Sequence, residues 1–178
     1  LRGVVKTFVW VIRGTPLMVQ LMFIFYGLPM IGFTIPDVSW IPNFSRFTAG
    51  IVAMSMNSCA YVAEIIRSGI MSVDQGQFEA GRSLGLTYVQ TMWYIIIPQA
   101  FKNVLPALAN EFITLLKETS ISGYIAIPDL TKGGDIIRSQ TYDAFLPLFG
   151  VAVIYLVLVM ILTAGVHKLE TRLRTNER

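Results

Sequence analysis

The chain has 178 residues, 54% of them hydrophobic and 14% charged, and its mean hydropathy is +0.61. A soluble domain of this composition would carry more apolar surface than it could hide, so the chain reads as one membrane domain. The net charge of +3 does not read as a nucleic-acid surface: Arg2, Lys6, Arg13, Arg67, Arg82, Lys168, Arg172, Arg174 and Arg178 fall in three segments that alternate with two of near-neutral balance.

The first apolar segment covers residues 4–28, with Thr15 and Pro16 inside it. Residues 17–28 alone would span only about 18 Å, short of a roughly 30 Å hydrocarbon core. The span is therefore expected to take in residues before Gly14 and kink at Pro16, or to be completed by protein neighbours. Pro29, Pro36 and Pro42 are then expected to break the chain into an extended outer loop. The second span, residues 47–70, is long enough to cross, and its Ala49, Ala53, Ser55, Ser58, Ala60 and Ala63 allow close helix packing.

Next comes a polar interlude, SVDQGQFEAGRSLGLTYVQTMWYIIIP, from Ser72 to Pro98. Ser72 with Gln75, and Thr87 with Gln90, have the spacing of reciprocal helix caps. Gly85 stands between them, where a turn of positive φ favours glycine. The pattern predicts a short helix, surest over residues 78–84, a tight turn, and a second helix from Thr87 back towards the membrane. The third span is expected over residues 95–116, distorted at Pro98 and Pro106. A long polar connection follows, with a short helix near residues 128–138 and an expected role on the outer face. The fourth span, residues 146–169, is the cleanest, and a basic tail ends the chain.

Counting Lys and Arg sets the orientation. With both ends and the polar interlude on the cytoplasmic side, inner segments hold nine of the fourteen. The outer side keeps Arg46, Lys117, Lys132 and Arg138, and Lys102 lies just inside the third span. Trp10 and Trp93 then fall near the inner interface and Trp40 near the outer one.

No G-x-x-x-x-G-K-[ST] phosphate cradle occurs, so any ATP hydrolysis belongs to a partner chain. His167 reads as a favourable cation at a helix C-terminus, and Cys59 as a small packing residue in an apolar helix. Polar groups inside the spans are the remaining clues, because charge in lipid is costly and usually faces a cavity or a partner. Asn57, Tyr61 and Glu64 share a helical face, with Asn57 near mid-membrane as either an interhelical hydrogen bond or a substrate contact. Glu64 has Arg67 one turn later as an ion-pair partner. Glu111, Thr114 and Glu118 share another face, where carboxylates would attract an ammonium or guanidinium group.

Glu79, Ala80, Gly81, Gly85, Ile95 and Pro98 resemble the EAA signature of permease subunits of bacterial ABC importers, with its spacing kept. Gly81 and Ile97 depart from the signature's third residue and its leucine. Arg13-Gly14-Thr15-Pro16 followed by LMVQL, Asn57-Ser58 with Ala60 to Glu64, and the run from Leu105 to Ile121 are similar to permeases of the histidine, glutamine and arginine group. The resemblance implies an all-α polytopic transmembrane bundle of the type I importer kind, without the first membrane helix such permeases usually have.

It also implies a bacterial inner-membrane location, ABC ATPase subunits holding ATP and Mg, a second permease subunit, an extracytoplasmic solute-binding protein and a polar or basic amino acid as substrate. No cofactor is expected in this chain and no enzyme activity of its own. Glu79, Ala80, Gly81, Leu84, Gly85 and Leu86 become the expected ATPase-coupling residues. Asn57, Tyr61, Glu111, Thr114 and Glu118 become the expected substrate path. The alternative of a different class is an ion-gradient-driven secondary transporter or channel.

Overall fold

The computed structural model describes residues 2–175, apart from the side chains of Arg2, Arg174 and Thr175; Arg178 of the expected basic tail lies outside the described residues. Among the described residues all regular structure is helical: α1 (Arg2–Gly14), α2 (Leu17–Met22), α3 (Leu28–Met30), α4 (Phe44–Met71) and α5 (Gln75–Ser83). These are followed by α6 (Tyr88–Thr91), α7 (Ile97–Glu118), α8 (Leu130–Thr141) and α9 (Phe145–Thr175). The chain divides into two compact units, Leu1–Ala60 with Ile113–Ile161, and Tyr61–Phe112 with Leu162–Arg178.

In the first unit, the segment expected to be one kinked span is two helices at nearly a right angle. Gly3–Gly14 and Leu17–Met30 are bent by 104°. Thr15 precedes a proline and is disfavoured in helical geometry, and Pro16 has no N–H to continue the ladder. Side chains then hold the elbow: Thr15 Oγ1 donates to the Val11 carbonyl at 2.9 Å, and Gln20 Nε2 donates to the carbonyls of Ile12 at 2.7 Å and Thr15 at 3.1 Å. These bonds satisfy carbonyls that a helix end leaves open.

Proline also explains two wide turns. A π-helical turn at Phe23–Gly27 joins α2 to α3, and another at Met92–Ile96 joins α6 to α7. Each ends two residues before a proline, Pro29 or Pro98. The ring crowds the carbonyl four residues earlier and offers it no donor, and a locally wider turn relieves both problems. Pro29, expected from sequence to break the chain, therefore does not break the helix, which runs to Met30; the chain turns at Gly32, whose φ is +89°. Pro106 sits within α7 without interrupting it.

The core of the first unit joins Leu17, Leu21 and Ile24 to Ala49 and Ala53 of α4 and to Ile125 and Ile127. The alanines leave room for the isoleucines, the use small residues commonly have at helix contacts. Leu21 and Ile125 are fully buried, and each such side chain contributes about 1.5–3 kcal/mol. The connection expected to be polar is therefore partly core. Its 3₁₀ turn, Thr119–Ile125, ends on Ala126 at φ 57°, which brings two isoleucines inward. α8 follows, with the Asp129 carboxylate accepting the Lys132 N–H at 2.6 Å as its cap. Gly134 lets α8 approach α9 closely, since a Cβ there would lie 2.5 Å from Val151 Cγ2.

Phe44–Met71 and Phe145–Leu173 are each long and apolar enough to cross a membrane, and the bent pair adds a third if it is one span. α7 has 22 residues but carries Lys102, Glu111, Lys117 and Glu118, and it is not among them. Two smaller expectations are corrected. His167 lies inside α9 rather than at its C-terminus, because that helix continues to Thr175. Cys59 is exposed on α4 rather than packed.

Candidate functional site

The second unit presents α5 on a stiff mount. Its N-cap is Asp74, whose Oδ1 accepts the Gly76 N–H at 2.6 Å. Ser72 is not the cap that its spacing to Gln75 suggested, because it is spent elsewhere. Its Oγ donates to the Gly69 carbonyl at 2.8 Å and accepts from Asn103 Nδ2 at 2.9 Å. The helix starts at Gln75, three residues before the part surest from sequence, and its C-cap is Leu84.

At the C-terminal end, Leu86 N–H donates to the Gly81 carbonyl at 3.1 Å and Gly85 N–H to the Arg82 carbonyl at 2.9 Å. This interlocked pair requires the left-handed residue that Gly85 supplies at φ +80°. The next helix opens with the reciprocal cap read from sequence: Gln90 N–H donates to Thr87 Oγ1 at 3.3 Å, and Thr87 N–H to Gln90 Oε1 at 2.9 Å.

Gly81 presses α5 against the helix that returns. A Cβ at Gly81 would lie 2.7 Å from Thr91 Cγ2 and 3.1 Å from Ile95 Cδ1. Thr91 is fully buried beneath it. The rings of Phe78 and Tyr88 stand 5.5 Å apart, and Gln99 Nε2 donates to Gln77 Oε1 at 3.3 Å, adding two further ties.

The six expected coupling residues thus divide. Glu79, Ala80 and Gly85 are exposed, and Leu84 is 79% exposed. Leu86 is half-buried, and Gly81 is buried against Thr91. Glu79, Ala80 and Leu84 can meet another protein; Gly81 and Gly85 fix how they are presented.

The expected path residues also divide, Asn57, Thr114 and Glu118 falling in the first unit and Tyr61 and Glu111 in the second. Asn57 is 4% exposed, with Nδ2 donating to Gln20 Oε1 at 3.4 Å and Oδ1 buried without a hydrogen-bond partner. Glu118 is half-buried at the end of α7, with Oε2 likewise unpartnered. Tyr61, Glu111 and Thr114 are half-buried. Glu64 and Arg67 form the ion pair their spacing suggested.

Two polar features escaped the sequence reading. Gln20 ties the elbow to Asn57, and its only signal was its place after the RGTP run. Asp135 bonds Lys132 Nζ at 3.1 Å and Arg138 at 2.5 Å, lining a cavity of about 420 Å³ with Ser120, Tyr124 and Thr131. The Arg138 hydrogen bond first, and the Lys132 one second, hold the Asp135 carboxyl below the usual range. Among the described residues no group of three His, Cys, Asp or Glu side chains could hold a metal ion.

Residues 1–175 match the family described as the binding-protein-dependent transport system inner membrane component. The chain belongs to this family. The permease is 42% identical over 180 residues to the arginine transport system permease protein ArtQ of Bacillus subtilis, covering 97% of this chain and 78% of that one. It is 39% identical to the glutamine transport system permease protein GlnP of Escherichia coli, over 96% of this chain and 75% of that one.

A solved structure described as an amino acid ABC transporter with histidines is 50% identical, with a TM-score of 0.84 over 94% of the permease and 74% of that chain. The permease is accordingly an all-helical, multi-pass inner-membrane transporter subunit.

Proposed function

We propose that the permease is the membrane-spanning subunit of an ATP-driven importer for a polar or basic amino acid, with α5 the element that couples it to a separate ATPase. The observation that carries this reading is the mounting of α5. A nine-residue helix is locked at both ends, pressed through Gly81 onto Thr91, and left with Glu79, Ala80 and Leu84 facing outward. A helix held this way transmits displacement instead of absorbing it.

ATP and Mg would be held by the ATPase pair, whose closure would move α5 and shift two permease subunits between inward-open and outward-open states. Both ends of this segment and α5 lie on the cytoplasmic side in this reading, supported by the distribution of Lys and Arg. The four spans in this reading are the first segment, residues 4–28, which crosses only through its part after the elbow and is completed by protein neighbours, and residues 47–70, 95–116 and 146–169. An extracytoplasmic solute-binding protein delivers the amino acid. The relatives' transport of arginine and glutamine supports the substrate class.

Asn57, Tyr61, Glu111, Thr114 and Glu118 supply polar groups for the path. In vesicles carrying the permease, its ATPase and its binding protein, uptake of labelled arginine, glutamine or histidine is expected only with ATP on the ATPase side. Uptake driven by an ion gradient without ATP would overturn the reading. Glu111→Gln should weaken uptake of a cationic amino acid more than of a neutral one; unchanged uptake of both removes Glu111 from the path.

A further inference from the structure

α1 is too short to cross a membrane, since thirteen residues reach only about 20 Å against a roughly 30 Å core. It is also divided lengthwise by chemistry. Val4, Phe8 and Val11 follow one another at helical spacing, with Val5 beside them, and all four are exposed. Ile12 falls within this face, between Phe8 and Val5, and is buried, so part of the face already packs on the protein. Lys6 and Arg13 are seven residues apart, so they share the opposite side, and both are exposed. Trp10 stands between the basic and apolar sides and is 77% exposed.

The elbow fixes where this helix points. In the proposed function, on which the placement of α1 rests, the Leu17–Met30 segment is the crossing part of the first span; a neighbour bent from it by 104° then lies close to the membrane plane. Gln20 and Thr15 hold that angle through the carbonyls of Val11, Ile12 and Thr15. We propose that α1 lies in the membrane interface, its Val4, Val5, Phe8 and Val11 face set at the acyl boundary and its Lys6 and Arg13 side on anionic phospholipid headgroups. An amphipathic helix with a basic polar face and an interfacial tryptophan matches such a surface in both apolar area and charge. Water would leave four apolar side chains exposed, and the bilayer centre would bury two cations.

The test uses the full-length permease in vesicles, with Trp10 kept and its other tryptophans changed to phenylalanine. Trp10 fluorescence is read against lipids brominated near the headgroup or near the chain end, on phosphatidylglycerol or phosphatidylcholine. Headgroup-proximal bromine is expected to quench more strongly, and phosphatidylglycerol more than phosphatidylcholine at equal fraction. Lys6→Gln should reduce that preference about fivefold, the effect of one basic residue near an anionic surface, while Lys6→Arg retains it. Equal quenching by the two lipids overturns the headgroup preference. Stronger chain-end quenching overturns the in-plane placement, and no quenching by either lipid means that protein covers α1.

Discussion

Gly81→Ala tests the mount of α5 directly. The new Cβ would stand 2.7 Å from Thr91 Cγ2, where carbon atoms in good contact keep about 3.5–4.0 Å. Thr91 is β-branched and fully buried, so it cannot swing aside, and α5 must lift instead. Overpacking of this kind costs about 1–3 kcal/mol, while replacing a helical glycine with alanine returns about 1 kcal/mol. The net expectation is a loss of up to about 2 kcal/mol.

With Thr91→Ala in place the closest clash is gone and only the flexible end of Ile95, at 3.1 Å, must give, so the same substitution should then cost little or stabilise. The two changes should couple by about 1–3 kcal/mol in a double-mutant cycle, read by denaturation in mixed detergent micelles. Coupled uptake should fall in Gly81→Ala and recover in the double variant. Additivity within about 0.5 kcal/mol would refute the claim that α5 is seated on Thr91.

Gly85→Ala should cost about 1–2 kcal/mol, because the residue must keep a positive φ, and Gly85→Asn should cost less; thermal unfolding compares them. Gln20→Leu removes the donor to two elbow carbonyls and should destabilise by about 1–3 kcal/mol, seen as earlier denaturation in micelles. Asp135 has a lowered carboxyl value when folded, so its contribution is present above the unfolded value of about 4 and fades as pH falls through the folded one. The thermal-midpoint difference between the parent and Asp135→Asn should therefore shrink from about pH 6 to about pH 3.

What the sequence disclosed was what local chemistry decides. Thr87 with Gln90 was readable as a cap because no nearer polar residue competes for those amides, and Gly85 because a turn there demanded it. Ser72 misled because Asp74, two residues on, is the better-placed acceptor and Ser72 is occupied by Gly69 and Asn103. Gly81 looked like a small departure from the EAA signature; its meaning lies in Thr91, ten residues away, which takes the space an alanine would fill.

Long-range geometry was harder to see. Ile125 and Ile127 sit in a stretch whose average is polar, yet a left-handed Ala126 turns them into the core. Pro16 announced a break in the first segment, but its 104° angle is tied by Gln20 reaching back to the Ile12 carbonyl of α1.

Cysteine cross-linking in native membranes tests the central claim most directly. With Cys59→Ser as background, Glu79→Cys and Leu84→Cys should each form a covalent adduct with the ATPase subunit, whereas Thr91→Cys, buried beneath α5, should form none. Failure of both exposed positions to join the ATPase while uptake continues, or their labelling by an impermeant thiol reagent from the outer face, would contradict a cytoplasmic coupling helix.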